Sequence, residues 1–327
     1  MTTTQTPPPD WNQSASSTSL IDVDVAPVLA ERLNGASVRR RYYPFDDDVI
    51  DWSVPLTDDW SYMPEEHSVF AESDILARLD PRQRSYVERW EMTQLMRNIA
   101  HGEHLLNQGI LAMLWRTDPL DPSYRFLLHE IAEECQHMAM FNQWVRINED
   151  IETGGAGEAG WGQRAAERSS ALAEQAPEAF WVSVLLFEFV GDDFNLSMRA
   201  NATGGLHPIV VQMGKVHTAE ETRHIAYARA WLEAGMAKLD DDERSTVASL
   251  TKWGAQQLID RRAFLPVRWN DQLAPFMTQA EFVDARSTSP AGPRMLRQLK
   301  LLLDDLESLD AIDAATMRAW ERDGAFG

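Results

Sequence analysis

HTAEETRHIAYA, residues 217–228, carries two histidines seven apart with a glutamate between them. In an α-helix, offsets of four, three and seven put His217, Glu221 and His224 on one stripe, because 3.6 residues make a turn. Ala219, Ala226 and Ala228 let neighbouring backbone approach, so the stripe can face inward. An inward polar stripe costs free energy unless something satisfies it. The surrounding residues 207–239 read as one long helix.

The same spacing occurs earlier in the chain. In HEIAEECQHMAMF, Glu134 and His137 are three apart and share a face, on a helix predicted to follow two Asp-Pro turns and run to about residue 150. Glu188 interrupts VLLFEFV, the most apolar part of a helix predicted over 176–202. Glu103 sits among Ile99, Leu106 and Ile110 on a helix predicted from Pro81 to about Trp115. Glu, Glu-x-x-His, Glu and Glu-x-x-His thus follow one another on four successive long helices. The interval from Glu103 to Glu134 nearly equals that from Glu188 to Glu221. This is the ligand order of di-iron and di-manganese carboxylate bundles. Two divalent ions held close together repel unless anionic oxygens from opposite helices bridge them, and four carboxylates cancel their charge. Imidazole adds a firm ligand of intermediate softness suited to iron.

Each residue also has a plainer reading. Exposed helical pairs account for most isolated Glu-x-x-His spacings, and Glu103, flanked by His101 and His104, can belong to a solvated face. Asp192 lies one turn after Glu188 and is the alternative ligand on that helix. His101, His104 and His129 read as surface or supporting groups, and His67 and His207 fall in loops. Cys135 reads as a small core residue.

Outside this core, residues 1–19 are rich in Thr, Ser, Pro and Gln and predict a disordered arm. Residues 20–327 are expected to form a single helical metal-binding domain with its bundle core at about 81–239, which the resemblance named below implies to be a di-iron oxygenase domain. A first helix is predicted over 22–34. An acidic, aromatic, proline-containing stretch then reads as an extended segment wrapped over the body. TGGAGEAGWG (153–162) is the clearest linker, followed by a shorter helix. Helical patterns return at 241–264 and 291–308, ahead of a mixed tail. No strand-like alternation of any length appears. The predicted class is all-α, a four-helix bundle with a long crossover connection and additional flanking helices.

Composition narrows the function. The net charge of -21 and the sequence pI near 4.7 disfavour nucleic acid and anionic membrane as partners. No apolar run approaches a membrane span, and the N-terminal stretch lacks signal-peptide character, so a cytoplasmic location is expected. With one cysteine, any metal must be held by His, Asp and Glu.

Taken together, IAHGEHLL, EECQH, a buried Glu and HTAEETRH resemble the bacterial aminoarene N-oxygenases, di-iron enzymes of the ferritin-like superfamily. These convert p-aminobenzoate, or an arylamine of the chloramphenicol pathway, to the nitro compound. The distinguishing mark is a histidine one turn before the last Glu-x-x-His, matched here by His217. The resemblance covers roughly residues 80–235. It implies that Glu103, Glu134, His137, His217, Glu221 and His224 hold two iron ions, with Glu188 or Asp192 as the remaining ligand. It also implies dioxygen as co-substrate, an external electron donor and a small-molecule amine substrate. The amine would be oxidised to hydroxylamine, nitroso or nitro compound in natural-product or antibiotic biosynthesis. The cluster itself is the expected catalyst, with no separate protein acid or base. An electron-transfer protein or reductant is the expected partner, and a homodimer is compatible with the chain. Competing readings keep the metal but oxidise carbon, by hydroxylation or desaturation, or make the bundle a non-catalytic metal-binding protein.

Overall fold

The computed structural model describes residues 27–152, 159–200, 205–261 and 269–326. The predicted N-terminal arm, the start of the first predicted helix, residues 262–264 of the pattern at 241–264 and the first half of the linker lie outside the described residues.

The described residues are helical throughout, apart from loops and one isolated bridge, Ser61 to Leu206. In chain order the α-helices are α1 (Pro27–Arg39), α2 (Pro81–Leu114), α3 (Pro122–Ile147), α4 (Ala159–Gln175), α5 (Pro177–Ala200) and α6 (Pro208–Met236). They continue with α7 (Asp241–Arg261), α8 (Gln279–Thr288), α9 (Ala291–Ser308) and α10 (Ala314–Arg322).

The four long helices start where local chemistry says they should. Proline stands at the first turn of α2, α3 and α6, where its missing N–H is no loss. Asp80 and Gln83 form a reciprocal capping box on α2, Asp121 caps α3, and the His207 ring caps α6 by accepting from the Ile209 N–H.

Pairing across the bundle follows from a few contacts. Trp144 donates to Thr93, and Asn107 reaches Cys135, so α2 and α3 run antiparallel. On α5, Phe187 and Phe180 lie against Gly102 and Gly109 of α2, two antiparallel steps seven residues apart. A methyl group at either glycine would meet ring carbon at about 2 Å. Bare backbone at these two positions lets α2 and α5 approach, in a register that sets Glu103 beside Glu188. Phe126 stacks on Tyr227 while His137 meets Glu220, so α3 and α6 are antiparallel as well. Helices α3 and α5 must then be parallel, and a parallel pair needs a long crossover. Helix α4 occupies that crossover and packs on α2, with Ser169 donating to the Leu105 carbonyl.

The four-helix bundle with a crossover and flanking helices is the predicted architecture. Three details differ from the sequence reading. Helix α4 begins at Ala159, inside the predicted linker, because packing on α2 outweighs the low helix propensity of glycine. Helices α8 and α10, the one in a stretch given no element and the other in the mixed tail, are short pieces held by capping side chains at Thr278 and Asp313. No helix among the described residues is long and apolar enough to cross a membrane.

The extended segment at 41–79 is anchored on α2 by two buried glutamates. Glu88 accepts from the Tyr62 N–H and the Ser61 hydroxyl, and Glu91 accepts from the Val69 N–H and the Ser68 hydroxyl. Its Ile50, Tyr62, Val69 and Phe70 complete one apolar core with the first half of α2 and of α6. A second core joins the other ends of the bundle helices to α7, α9 and α10. Between the two cores lies a layer of ionisable side chains.

Candidate metal centre

Seven glutamates are buried in this layer: Glu103, Glu130, Glu133, Glu134, Glu188, Glu220 and Glu221. With them are His137, His217, His224 and Arg223, all at most 5% exposed. Ionised carboxylates in a low-dielectric interior cost several kcal/mol each, in order of magnitude, unless paired. The protein balances them with little cationic charge of its own.

Two groups of donors converge. Glu103, His137, His217 and Glu221 each present an atom within 4.8 Å of the others, and so do Glu134, Glu188, Glu221 and His224. Glu221 belongs to both. Its two oxygens lie 3.0 Å from His217 Nε2 and 3.4 Å from His224 Nδ1. Glu134 also faces both sides, with one oxygen 3.0 Å from His137 Nδ1 and the other 2.8 Å from His224 Nδ1. Glu103 and Glu188 stand at opposite ends, next to one group each. Thus all seven sequence-predicted ligands meet in one layer, and Glu188, not Asp192, joins a donor group. Asp192 is half-buried one turn further on, bonded to Asn195 and pushed up to about 7 by burial and by Glu221.

The donor set fits a pair of divalent cations. Both oxygens of Glu188 and of Glu221, one oxygen of Glu103 and Nδ1 of His224 have no hydrogen-bond partner although they are sealed from water. Several close approaches, such as Glu134 to His224, lack hydrogen-bond geometry. The atoms stand side by side around a common space, as ligand atoms around an ion do, and four ligand carboxylates match a total charge of four.

Protons make up for the missing charge in the chain alone. Burial, then Glu134, drives the Glu103 carboxyl well above its usual range, and burial with Glu221 does the same to Glu188. His137 is pulled the other way: burial opposes its charge, but Glu134 and Glu220 lift it to about 10. Glu221 is held down to about 2 because His217 and His224 overcome its burial and the repulsion of Glu134. Such a spread among touching groups marks a site built for charge.

The sequence reading missed the groups behind the imidazoles. Glu220 accepts from His137 Nε2 at 2.9 Å, and Glu133 accepts from His224 Nε2 at 2.9 Å. The arrangement is crosswise, since the glutamate preceding each predicted ligand on one helix holds the histidine of the other. These contacts fix each ring with Nδ1 toward the cluster. Arg223 lies 2.8 Å from Glu133 and 3.7 Å from Glu220, supplying one cation to both. The signal was the doubled glutamate in EECQH and EETRH. Glu130, one turn before Glu134, has no partner for either oxygen, and burial pushes it up to about 8. His101 and His104 are exposed, as read, whereas Cys135, read as a small core residue, is also exposed because it lies on the outer face of α3 next to the inward Glu134.

A cleft of about 750 Å³, counted with its open mouth, reaches the cluster at Glu103, Glu188, His217 and Glu221. Its walls include Leu95 and Ile99 of α2, Phe187 and Phe194 of α5 and Met295 of α9. His67 lines it too, brought in by the extended segment that the sequence left without chemistry. The buried tryptophans Trp90, Trp144 and Trp181 pack in the apolar cores, away from the cleft's described lining.

The family model of p-aminobenzoate N-oxygenase AurF matches residues 25–306. An uncharacterized protein of Mycobacterium tuberculosis (strain CDC 1551 / Oshkosh) is 29% identical over 237 residues, 69% of this chain and 66% of the relative. One from Mycobacterium bovis is 29% identical over 233 residues, 68% of this chain and 65% of the relative. The matched stretch therefore spans just under two thirds of each relative's own length.

Proposed function

The chain belongs to the p-aminobenzoate N-oxygenase AurF family, a di-iron family of ferritin-like fold, and from that premise we propose that it oxidises an amine nitrogen with dioxygen at a di-iron centre. The observation that carries the reading is the pair of donor groups sharing Glu221, with His217 as a third imidazole. A storage site that must release iron gains nothing from an additional firm ligand.

Seven side chains would hold the irons: Glu103, His137 and His217 on one side, Glu188 and His224 on the other, and Glu134 and Glu221 between. Two ferrous ions bound there would supply electrons to dioxygen. The balance for one turnover is amine, dioxygen, two electrons and two protons giving hydroxylamine and water, so an external reductant is required, and further turnovers would lead to nitroso and nitro products. Glu220 and Glu133 keep a proton on Nε2 of each imidazole and present Nδ1 to the cluster. Leu95, Ile99, Phe187 and Phe194 give the cleft leading to the carboxylates an apolar wall against which the body of a substrate can rest. The centre is proposed to act without a separate protein acid or base, in natural-product biosynthesis, within the cytoplasm.

The test is aerobic turnover of the iron-loaded, reduced protein with a panel of small aryl and aliphatic amines, followed by analysis of nitrogen and carbon oxidation. Hydroxylamine, nitroso or nitro products are expected. Products oxidised only at carbon would make it a hydroxylase or desaturase, and no oxygen-dependent product with any amine would leave a metal-binding bundle.

A further inference from the structure

Five and six residues along α5 from Glu188, about 7.5–9 Å at the rise of a helix, the cleft lining reaches Asp193 and Phe194, where the chemistry is unlike that needed for a carboxylate. Asp193 is engaged by Arg294, whose Nη2 donates at 2.8 Å and whose Nε donates to the other oxygen, and Gln298 adds a third donor at 3.3 Å. The guanidinium charge is therefore matched by the carboxylate it grips. Among the described residues lining the cleft there is no lysine or arginine. His67 is buried against Phe194, with Nε2 3.1 Å from the Ser197 hydroxyl and 3.5 Å from Asp193. Burial, and then Arg294, outweigh Asp193 and hold its imidazole down to about 4, so it is neutral near pH 7.

A ligand carboxylate reaching this part of the lining would lose its water, find no unmatched cation and lie beside Asp193. Desolvating an anion without a partner is among the most costly events in binding. A neutral aromatic ring instead finds Phe187, Phe194 and Met295, surfaces that favour ring contacts. His67 lines the cleft, and its neutral ring carries one acceptor nitrogen for the hydroxyl hydrogen of a ligand.

Resting on the amine-oxidising reading above, we propose that the cleft selects an aryl amine whose ring is uncharged and bears a hydroxyl opposite the nitrogen, received by His67, and that it discriminates against a ring carrying a carboxylate. The Asp193–Arg294 pair is the device that sets this choice, since removing its anion would leave a free guanidinium at the same place.

Anaerobic calorimetric titration of the iron-loaded protein, with no turnover, tests this using p-aminophenol, p-toluidine and p-aminobenzoate. p-Aminophenol should bind at least about tenfold more tightly than p-aminobenzoate, with p-toluidine between. His67→Ala should bring p-aminophenol to the level of p-toluidine and leave p-toluidine unchanged. Asp193→Asn should raise p-aminobenzoate affinity at least about tenfold, and Asp193→Asn combined with Arg294→Gln should remove that gain. If the Asp193 variants fail to fold, the unsubstituted protein and His67→Ala still decide. Equal or tighter binding of p-aminobenzoate by the unsubstituted protein overturns the proposal, as does the absence of binding by all three amines. If the predicted order holds but turnover yields no oxidised nitrogen, the cleft's selectivity stands and the N-oxygenase reading fails.

Discussion

On helix α2, Glu91 and Glu103 are about three turns apart and equally buried, but their oxygens meet different company. Glu91 receives a backbone N–H and a hydroxyl from the extended segment, and no polar atom there is left over. Glu103 faces His217, Glu134 and an orphaned oxygen of its own. A buried acid whose acceptors are filled by fixed donors serves as a clamp. One among other unfilled acceptors, on four different helices, is placed as a ligand for positive charge would be. Burial alone does not separate the two; the account of each oxygen does.

If that distinction is right, substitutions in the two regions should separate metal binding from stability. The largest effect is expected at Glu221, the donor common to both groups. Glu221→Ala should reduce bound iron from two per chain to less than one and lower amine oxidation by at least about 100-fold, beyond the range for supporting residues. Glu91→Ala should keep two irons and instead lower the unfolding free energy by about 1–3 kcal/mol for its stranded donors. Metal analysis and denaturant unfolding of both variants would collapse the comparison if the effects coincided.

Helix α5 carries a donor-group acid and a second acid one turn on. Glu188→Ala should leave one iron per chain, while Asp192→Ala should retain two, because only Glu188 joins a donor group. The opposite pattern would move the ligand role one turn along.

A smaller loss is expected behind the imidazoles. Glu220→Ala should still bind two irons at saturation, with affinity or turnover down by about 10–100-fold, since His137 keeps its place but loses the acceptor that orients it. An unchanged iron affinity and rate would reduce Glu220 to packing.

The smallest effect belongs to the clamp. Burial raises the Glu91 carboxyl from 4.5 to about 8, so the folded chain holds its proton more tightly than the unfolded chain does. That contribution to stability is complete below pH 4.5 and is lost as pH rises toward 8. Glu91→Gln cannot lose a proton, and its stability should fall less steeply than that of the parent over this window, by at most about 1.4 kcal/mol per pH unit. Parallel slopes in urea titrations at several pH values would show that Glu91 has an ordinary titration.

Much of this was readable beforehand because the governing signals are local. Proline and aspartate mark where α2 and α3 begin, and a glutamate inside VLLFEFV contradicts its apolar surroundings so strongly that it points to a ligand. The intervals on α2, α3, α5 and α6 then pointed to the bundle and to side chains that the structure brings together in one layer. Glu133 and Glu220 were visible as doubled glutamates, yet their partners sit on another helix, and helical periodicity carries no information about that. His67 was harder still, since it reaches the cleft from an irregular segment with no period to read. Glu88 and Glu91 look like any solvent-facing acids of a long helix until the segment at 61–69 covers them. Helices α8 and α10 are short, and their capping signals alone do not outweigh a mixed pattern.

If the layer between the two cores receives two divalent ions, anaerobic titration of ferrous iron into the metal-free protein will show it. Binding should saturate close to two irons per folded chain and raise the melting temperature, as ligands of the native state do. Saturation at one iron, or none, with the helical fold intact would mean that the layer is not a two-metal site.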